Sequence, residues 1–460
     1  MAISTNLPRA SGFKDTRARP LFPLLIASLV FLGSSCATND LKDVTEGGCR
    51  GAISETTPAE TAPAETAPTE LHITEEKKPE TEWGVEKEGK DIERIVGFQV
   101  LLFSSKTKEG LVEEMSKIRE AGADTVIVRV FHNRGDRFYP FVEPGADSGV
   151  YFRTRHAPVV ADALTPMITA ARANGLSIYA WMTTKYAVYG RSENNLYSYD
   201  FESKKIVPSL GVDIFDDREV TRLVNIYEDL ARYDIDGILF QDDLILRHAE
   251  GMGDGASRLY GNKIRPESLY VSPYLNSAGT KYYVREYTDE FWRWSSFKSR
   301  RLALVAKRIM AGARGINPRL RFAVNLSYES AIRPDLALAW FSQDIGEFKT
   351  DKNGEGVDYF FIMAYHRQMM REKSYNDLKQ VAPLINNVCN NAVFIVGRPE
   401  RLVIKLQVTD WKTDAPIAEG ELLKVASYLC RIDEISIAFV PFRIDAPLKD
   451  VKNVVRMSDR

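Results

Sequence analysis

The feature that most constrains this chain is a change of texture after Ile92. From there, short β-branched runs alternate with amphipathic helical stretches, and the alternation repeats eight times. The strand candidates are 95–103, 124–131, 176–182, 237–241, 320–326, 357–364, 402–408 and 434–440. Helical spacing of apolar residues follows them, for example over 108–121, 157–174, 218–232, 285–313 and 422–430. Strand-helix alternation implies a parallel sheet with right-handed crossovers. Eight units predict an α/β fold closed as a (β/α)8 TIM barrel over 92–460. No glycine-rich phosphate loop follows the first strand, which removes the dinucleotide-binding alternative.

Residues 1–91 read differently. Arg9, Lys14, Arg17 and Arg19 precede an apolar run from Leu21 to Leu32, and Gly33, Ser34 and Ser35 lead to Cys36. About a dozen apolar residues suit a signal-peptide core better than a mature membrane span. The stretch resembles a bacterial lipobox, with Leu32 one position early, so residues 1–36 are expected to be a lipoprotein-type signal and Cys36 the lipidation site. Ala37 rather than Asp after that cysteine suggests outer-membrane sorting, facing the periplasm. Residues 37–91 carry a near-repeat of Pro, Ala, Glu and Thr and few large apolar side chains, which predicts a disordered tether. A net charge of -2 shows no basic excess, so a nucleic-acid partner is not expected. Cys36, Cys49, Cys389 and Cys430 have neither zinc-site spacing nor the density of a disulfide scaffold.

In such barrels the chemistry sits where strands end at the C-terminal face. The fourth strand candidate begins Asp236-Gly237 and finishes abruptly in Gln241-Asp242-Asp243. Strand alternation would put Gln241 and Asp243 on one face, toward the barrel mouth. Glycoside hydrolysis needs an acid for the departing oxygen and a second group to stabilise the oxocarbenium-like state. Asp243 is therefore the candidate acid and Asp242 its partner, the alternative being that one of them caps the next segment or pairs with an arginine. Other strand ends offer groups suited to a sugar: Arg129 and His132, Trp181, Asn325, Tyr365 and His366, Gln407 and Trp411. The long loops 183–216 and 244–283 are tyrosine-rich and could wall a groove. The five histidines lack the spacing of a helical metal site, so neither a catalytic metal nor a cofactor is expected.

At these residues the chain resembles the C-terminal glycoside-hydrolase (GHL13-like) domain of PgaB-type proteins. The carriers are 149–156, ending in Arg155 and His156, then 179–182, 236–243, 339–343, 362–364 and 405–411. The resemblance implies endo-hydrolysis of partly de-N-acetylated poly-β-1,6-N-acetyl-D-glucosamine, an amino-sugar exopolysaccharide of biofilms. It also implies Asp242 and Asp243 as the catalytic pair and adds Arg155 and His156 to the substrate-binding candidates. Exopolysaccharide export machinery is an implied partner. Gln241 stands where that family usually has histidine, and 440–445 replaces a stretch rich in Tyr, Pro and Asp. The metal-dependent deacetylase domain of PgaB-type proteins has no counterpart before Ile92, so N-deacetylase activity is not expected. A weaker similarity to chitinase-type barrels matches Asp243 to their acid and Met363-Ala364-Tyr365 to their sixth-strand motif, which leaves substrate-assisted catalysis open. The competing readings are a polysaccharide-binding barrel with little turnover and a glycosidase of another glycan such as peptidoglycan.

Overall fold

The β-branched and aromatic runs become strands because each can be buried on both faces, which parallel barrel strands require. In chain order they are β1 (Val96–Val100), β2 (Thr125–Arg129), β3 (Ser177–Met182), β4 (Gly237–Phe240), β5 (Arg321–Ser327), β6 (Tyr359–Met363), β7 (Leu402–Gln407) and β8 (Ser436–Val440). Each pairs in parallel with its neighbours, and β1 against β8 closes the barrel with Val96 opposite Ile437. The computed structural model describes residues 92–189, 196–275, 282–351 and 354–459. The expected signal peptide with Cys36 and the expected tether lie outside the described residues.

One principal helix follows each strand: α1 (Lys108–Glu120), α2 (Leu164–Ala173), α3 (Asp217–Leu230), α4 (Asp289–Ile316), α5 (Pro334–Phe341), α6 (Leu378–Val396), α7 (Glu421–Ala426) and α8 (Leu448–Ser458). The start of α2 departs from the sequence expectation of 157–174. Residues before it are held extended, with Val150 donating to Pro158 O and Val160 to Val150 O, both at 2.9 Å. Gly149 permits that approach, because a Cβ there would sit 2.1 Å from Pro158 O. The start of α4 departs from 285 because Tyr282–Tyr287 is a hairpin strand and Thr288 caps the helix, its side chain accepting from Phe291 N.

The bottom of the barrel is fastened by one repeated device. Asp124, Asp236 and Asp358, each just before an even-numbered strand, accept a hydrogen bond from the opening of the preceding odd strand. Val96 N donates to Asp124 at 3.1 Å, Ile178 N to Asp236 at 2.7 Å and Phe322 N to Asp358 at 2.7 Å. At the closing seam Ser436 Oγ replaces the carboxylate, accepting from Ile95 N at 2.9 Å. Gly237 follows Asp236 because any Cβ there would lie 2.2 Å from the Tyr179 ring.

Cys389 on α6 and Cys430 after α7 form a disulfide, with Cα atoms 5.6 Å apart. The sequence offered no reason to pair them, since 41 residues separate them and only the packing of the two helical layers brings them together.

Candidate active site

Residues 241–244 decide the geometry of the carboxylate pair. β4 ends at Phe240, and although Gln241 N still donates to Met182 O at 2.9 Å, Leu244 N donates back to Gln241 O at 3.2 Å. That turn breaks the alternation on which Gln241 and Asp243 were expected to share a face. The correction has a plain cause: side chains alternate only while the backbone stays extended. All three side chains nevertheless line one cleft of about 690 Å³ at the C-terminal face.

The two carboxylates have different surroundings. Asp243 is only 2% exposed and sits in a cradle made by the end of β3. It accepts from Thr183 Oγ1 at 2.5 Å, Thr184 N at 3.0 Å and Tyr186 N at 2.8 Å. Burial pushes its carboxyl up; the Thr183 hydroxyl and the Tyr186 and Thr184 amides oppose that, and the charge of Asp242 adds to it. Asp242 is half-buried and turned toward the cleft. Burial pushes it up too, while Lys405, a hydrogen bond from the Gln241 amide and Lys185 pull it down.

Lys405 was not read from the sequence as a site residue in its own right. It sits mid-strand in β7, 2% exposed, and its Nζ donates to Asn325 Oδ1 at 2.9 Å. Asn325 Nδ2 in turn donates to Phe240 O at 3.1 Å, immediately before the acidic turn. The only available signal was a cation inside the apolar run Leu402–Gln407. Lys185, which also faces Asp242, is buried and paired with Glu250 at 3.0 Å.

The cleft wall carries polar atoms with no protein partner among the described residues. Trp181 Nε1, Tyr189 Oη and Gln241 Oε1 are all buried and unpaired, and all three residues line the cleft. Buried polar atoms are normally satisfied, so a cluster of such atoms around one cavity marks a place prepared for a polar ligand. Trp181 is braced edge-on against Phe131, with ring centroids 5.3 Å apart. A platform and a few hydrogen-bonding atoms are what a sugar ring requires.

The family model of hypothetical glycosyl hydrolase family 13 matches residues 105–439, which takes in β2 through most of β8 and every residue of this cleft. The chain belongs to this family. Two curated relatives are the poly-beta-1,6-N-acetyl-D-glucosamine N-deacetylases of Escherichia coli K12 and O157:H7, each 26% identical over 291 residues. The match covers 59% of this chain, which spans only 38% of the length of those relatives. Among solved structures, the glycoside hydrolase domain of PgaB (BpsB) from Bordetella bronchiseptica superposes with a TM-score of 0.58 at 19% identity, over 79% of this chain and 98% of that one. The catalytic domain of a Paenibacillus polymyxa beta-amylase does so with 0.51 at 11% identity, over 80% and 99%. These two likenesses concern the fold.

In this member of hypothetical glycosyl hydrolase family 13, the remaining candidates divide by location. Arg129 lines the cleft, but its guanidinium is committed to Asp136 at 2.9 Å and to Arg137 O at 3.0 Å. Asn325, Tyr365 and Trp411 are not in the cleft lining and pack with or bond to Lys405 and one another: the Lys405 Nζ donates to Asn325 and lies 5.8 Å from the Tyr365 ring centre, and Trp411 packs edge-on to Tyr365 at 5.6 Å. Burial, then the charge of Asp242, pushes the Tyr365 phenol well up.

The other candidates lie outside the cleft lining. His132 is buried, bonded to the Tyr151 hydroxyl at 2.7 Å and stacked on Phe138; burial, then Arg129, pushes its ring down to about 4. Gln407 spends its amide on Arg367 N and Thr409 O, and His366 is bonded to Glu421 at 2.7 Å. Arg155 is exposed, and its Nε lies 3.4 Å from the ring Nε2 of its neighbour His156. These side chains are polar for local reasons that a strand-end position alone does not reveal.

The two tyrosine-rich loops form hairpins, Leu196–Asp200 with Lys205–Ser209 and Tyr270–Leu275 with Tyr282–Tyr287. Tyr199 stacks on Tyr270 at 6.0 Å and Tyr260 packs on Trp294, so these rings hold the hairpins together. Tyr186 and Tyr189 are the tyrosines that line the cleft.

Proposed function

We propose that this protein is an exported glycoside hydrolase of partly de-N-acetylated poly-β-1,6-N-acetyl-D-glucosamine, using the carboxylates at the end of β4. The observation that carries the reading is the conjunction, in one cleft, of Asp242 and Asp243 with the unpaired atoms of Trp181, Tyr189 and Gln241. Asp242, turned to the cleft, protonates the departing glycosidic oxygen. Asp243, fixed by three donors, supplies the second carboxylate, which steadies the developing oxocarbenium ion until water adds to it and returns a proton to Asp242. The choice of polymer is supported by the curated relatives, which are named for that glycan. Deacetylation is not part of the proposal, because the family model that matches the barrel, over residues 105–439, is that of a glycosyl hydrolase family.

Export to an oxidising compartment is supported by the Cys389–Cys430 disulfide, since such bonds persist outside the reducing cytosol; Cys36 as the lipid-bearing membrane anchor rests on the lipobox-like run that precedes it. The test is to incubate the purified protein with partly deacetylated polymer and measure binding and released oligosaccharide together. Release that disappears in Asp242→Asn supports hydrolysis. Binding without release would make the barrel a polysaccharide holder in export, a reading favoured by the occupied oxygens of Asp243. Cleavage of peptidoglycan but not of this polymer would move the activity to another amino-sugar glycan.

A further inference from the structure

The buried polar atoms without a partner in the cleft wall include a fourth, Arg129 Nε, beside Trp181 Nε1, Tyr189 Oη and Gln241 Oε1. All four residues are at most 6% exposed. Three of them stand in one row. The register pairs Arg129 on β2 with Trp181 on β3, and Trp181 with Leu239 on β4. Gln241, two residues on, is still held in the ladder by its bond to Met182 O, so its side chain lies on the same side as that of Leu239. Across the wall the free atoms therefore run donor, donor, acceptor. Arg129 Nε and the Trp181 indole nitrogen can only donate, and Gln241 Oε1 can only accept. The Gln241 nitrogen is turned to Asp242, which leaves the oxygen as the end open to a ligand. Tyr189 Oη can do either.

We propose that this row is a subsite for the acetamido group of an N-acetylated sugar, and that Arg129, Trp181 and Gln241 select an acetylated unit over a free amine at that place in the cleft. The proposal rests on the reading of the cleft as a glycan site and names the unit it holds. An acetamido group supplies both functions the row lacks. Its carbonyl oxygen, with two lone pairs, takes the Arg129 and Trp181 N–H groups, and its own N–H goes to Gln241 Oε1. A glucosamine ammonium carries donors alone, so it would leave both N–H groups unmet and set a cation beside the guanidinium. A carboxylate would leave Gln241 Oε1 unmet. A hydroxyl can donate and accept, but through a single atom, whereas the row spreads its groups over three strands about 4.8 Å apart. The methyl of the acetamide finds an apolar neighbour in Phe131, which lies edge-on to Trp181 and lines the same cleft.

The test compares three probes, the sulfur-linked β-1,6 trisaccharides of N-acetylglucosamine, glucosamine and glucose, which resist hydrolysis and place an acetamide, an ammonium and a hydroxyl on the same carbon. Calorimetry with the full wild-type chain should show the acetylated probe binding about 10- to 100-fold more tightly than either of the others, since each of these leaves buried polar groups unmet. Trp181→Phe keeps a ring and removes the donor, and Gln241→Met keeps the length and removes the acceptor. Each variant, with its thermal transition retained, should reduce that preference by about 5-fold or more. The ranking in the wild type needs no variant to fold. Equal or tighter binding of the glucosamine or glucose probe, binding of none of the three, or a preference that survives both substitutions overturns the proposal. Cleavage is measured separately on the polymer: a protein that ranks the probes in this way yet releases no oligosaccharide loses the hydrolase reading and keeps the subsite, and release without the ranking does the reverse.

Discussion

Replacing each carboxylate of the pair by its amide should separate holding from acting. In Asp243→Asn the three donors from Thr183, Thr184 and Tyr186 remain, but they meet a neutral oxygen. A hydrogen bond to a charged group contributes about 1.5–3 kcal/mol and a neutral one about 0.5–1.5, so each bond loses roughly 1–1.5 kcal/mol. Three bonds sum to roughly 3–4.5 kcal/mol. The new amide nitrogen would also face Thr184 N, which lies 3.0 Å from both carboxylate oxygens. Removing a buried charge offsets part of this, leaving a net destabilisation of about 2–3 kcal/mol. Asp242→Asn has no such cradle to lose and should stay within about 1 kcal/mol of wild type, while turnover falls by roughly 100- to 10,000-fold. Urea unfolding followed by tryptophan fluorescence gives the first quantity, and oligosaccharide release gives the second. Should Asp243→Asn prove as stable as wild type yet inactive, with Asp242→Asn still turning over, the assignment of roles is reversed and the reasoning from the cradle fails.

Reducing the Cys389–Cys430 bond, which spans a separation of 41 residues, should lower the unfolding free energy by about 2–4 kcal/mol, seen as a lower urea midpoint with dithiothreitol than without. His132 and His248 are both pushed down to about 4 from 6.5, chiefly by burial, so the folded chain binds fewer protons than the unfolded one between those values. Their contribution is complete above about pH 6.5 and is lost as pH falls toward 4; His248→Gln should make the decline of the urea midpoint shallower, and an unchanged slope would count against a neutral buried ring. Cys36→Ser should release the protein from the membrane fraction, and unaltered fractionation would end the lipoprotein reading.

The barrel was legible because eight runs of β-branched residues are long enough to be counted, whatever their ends. The ends were less so: 95–103 shrinks to Val96–Val100 because Leu101 to Phe103 are apolar for packing rather than for pairing. The acidic pair was found because two carboxylates closing an apolar strand are conspicuous. Their relative exposure was not, since it depends on a turn closed by Leu244. Lys405 escaped because its partner Asn325 reaches it from another strand, β5. His132 and Gln407 looked functional for the converse reason: polar side chains at strand ends are also needed to satisfy nearby backbone and hydroxyl groups.

The four fastenings at the barrel bottom bear on what can change at the top. Asp124, Asp236, Asp358 and Ser436 each tie the opening of an odd strand to the even strand beside it, so the stagger of the staves is set far from the cleft. Strand slippage, which would turn every inward side chain outward, is resisted there. The loops above can therefore be lengthened, shortened or exchanged without renegotiating the register below. A chain built this way can acquire a different groove for a different glycan while keeping the same cylinder, and libraries that vary 183–216 and 244–283 with the rim residues untouched would exploit that separation.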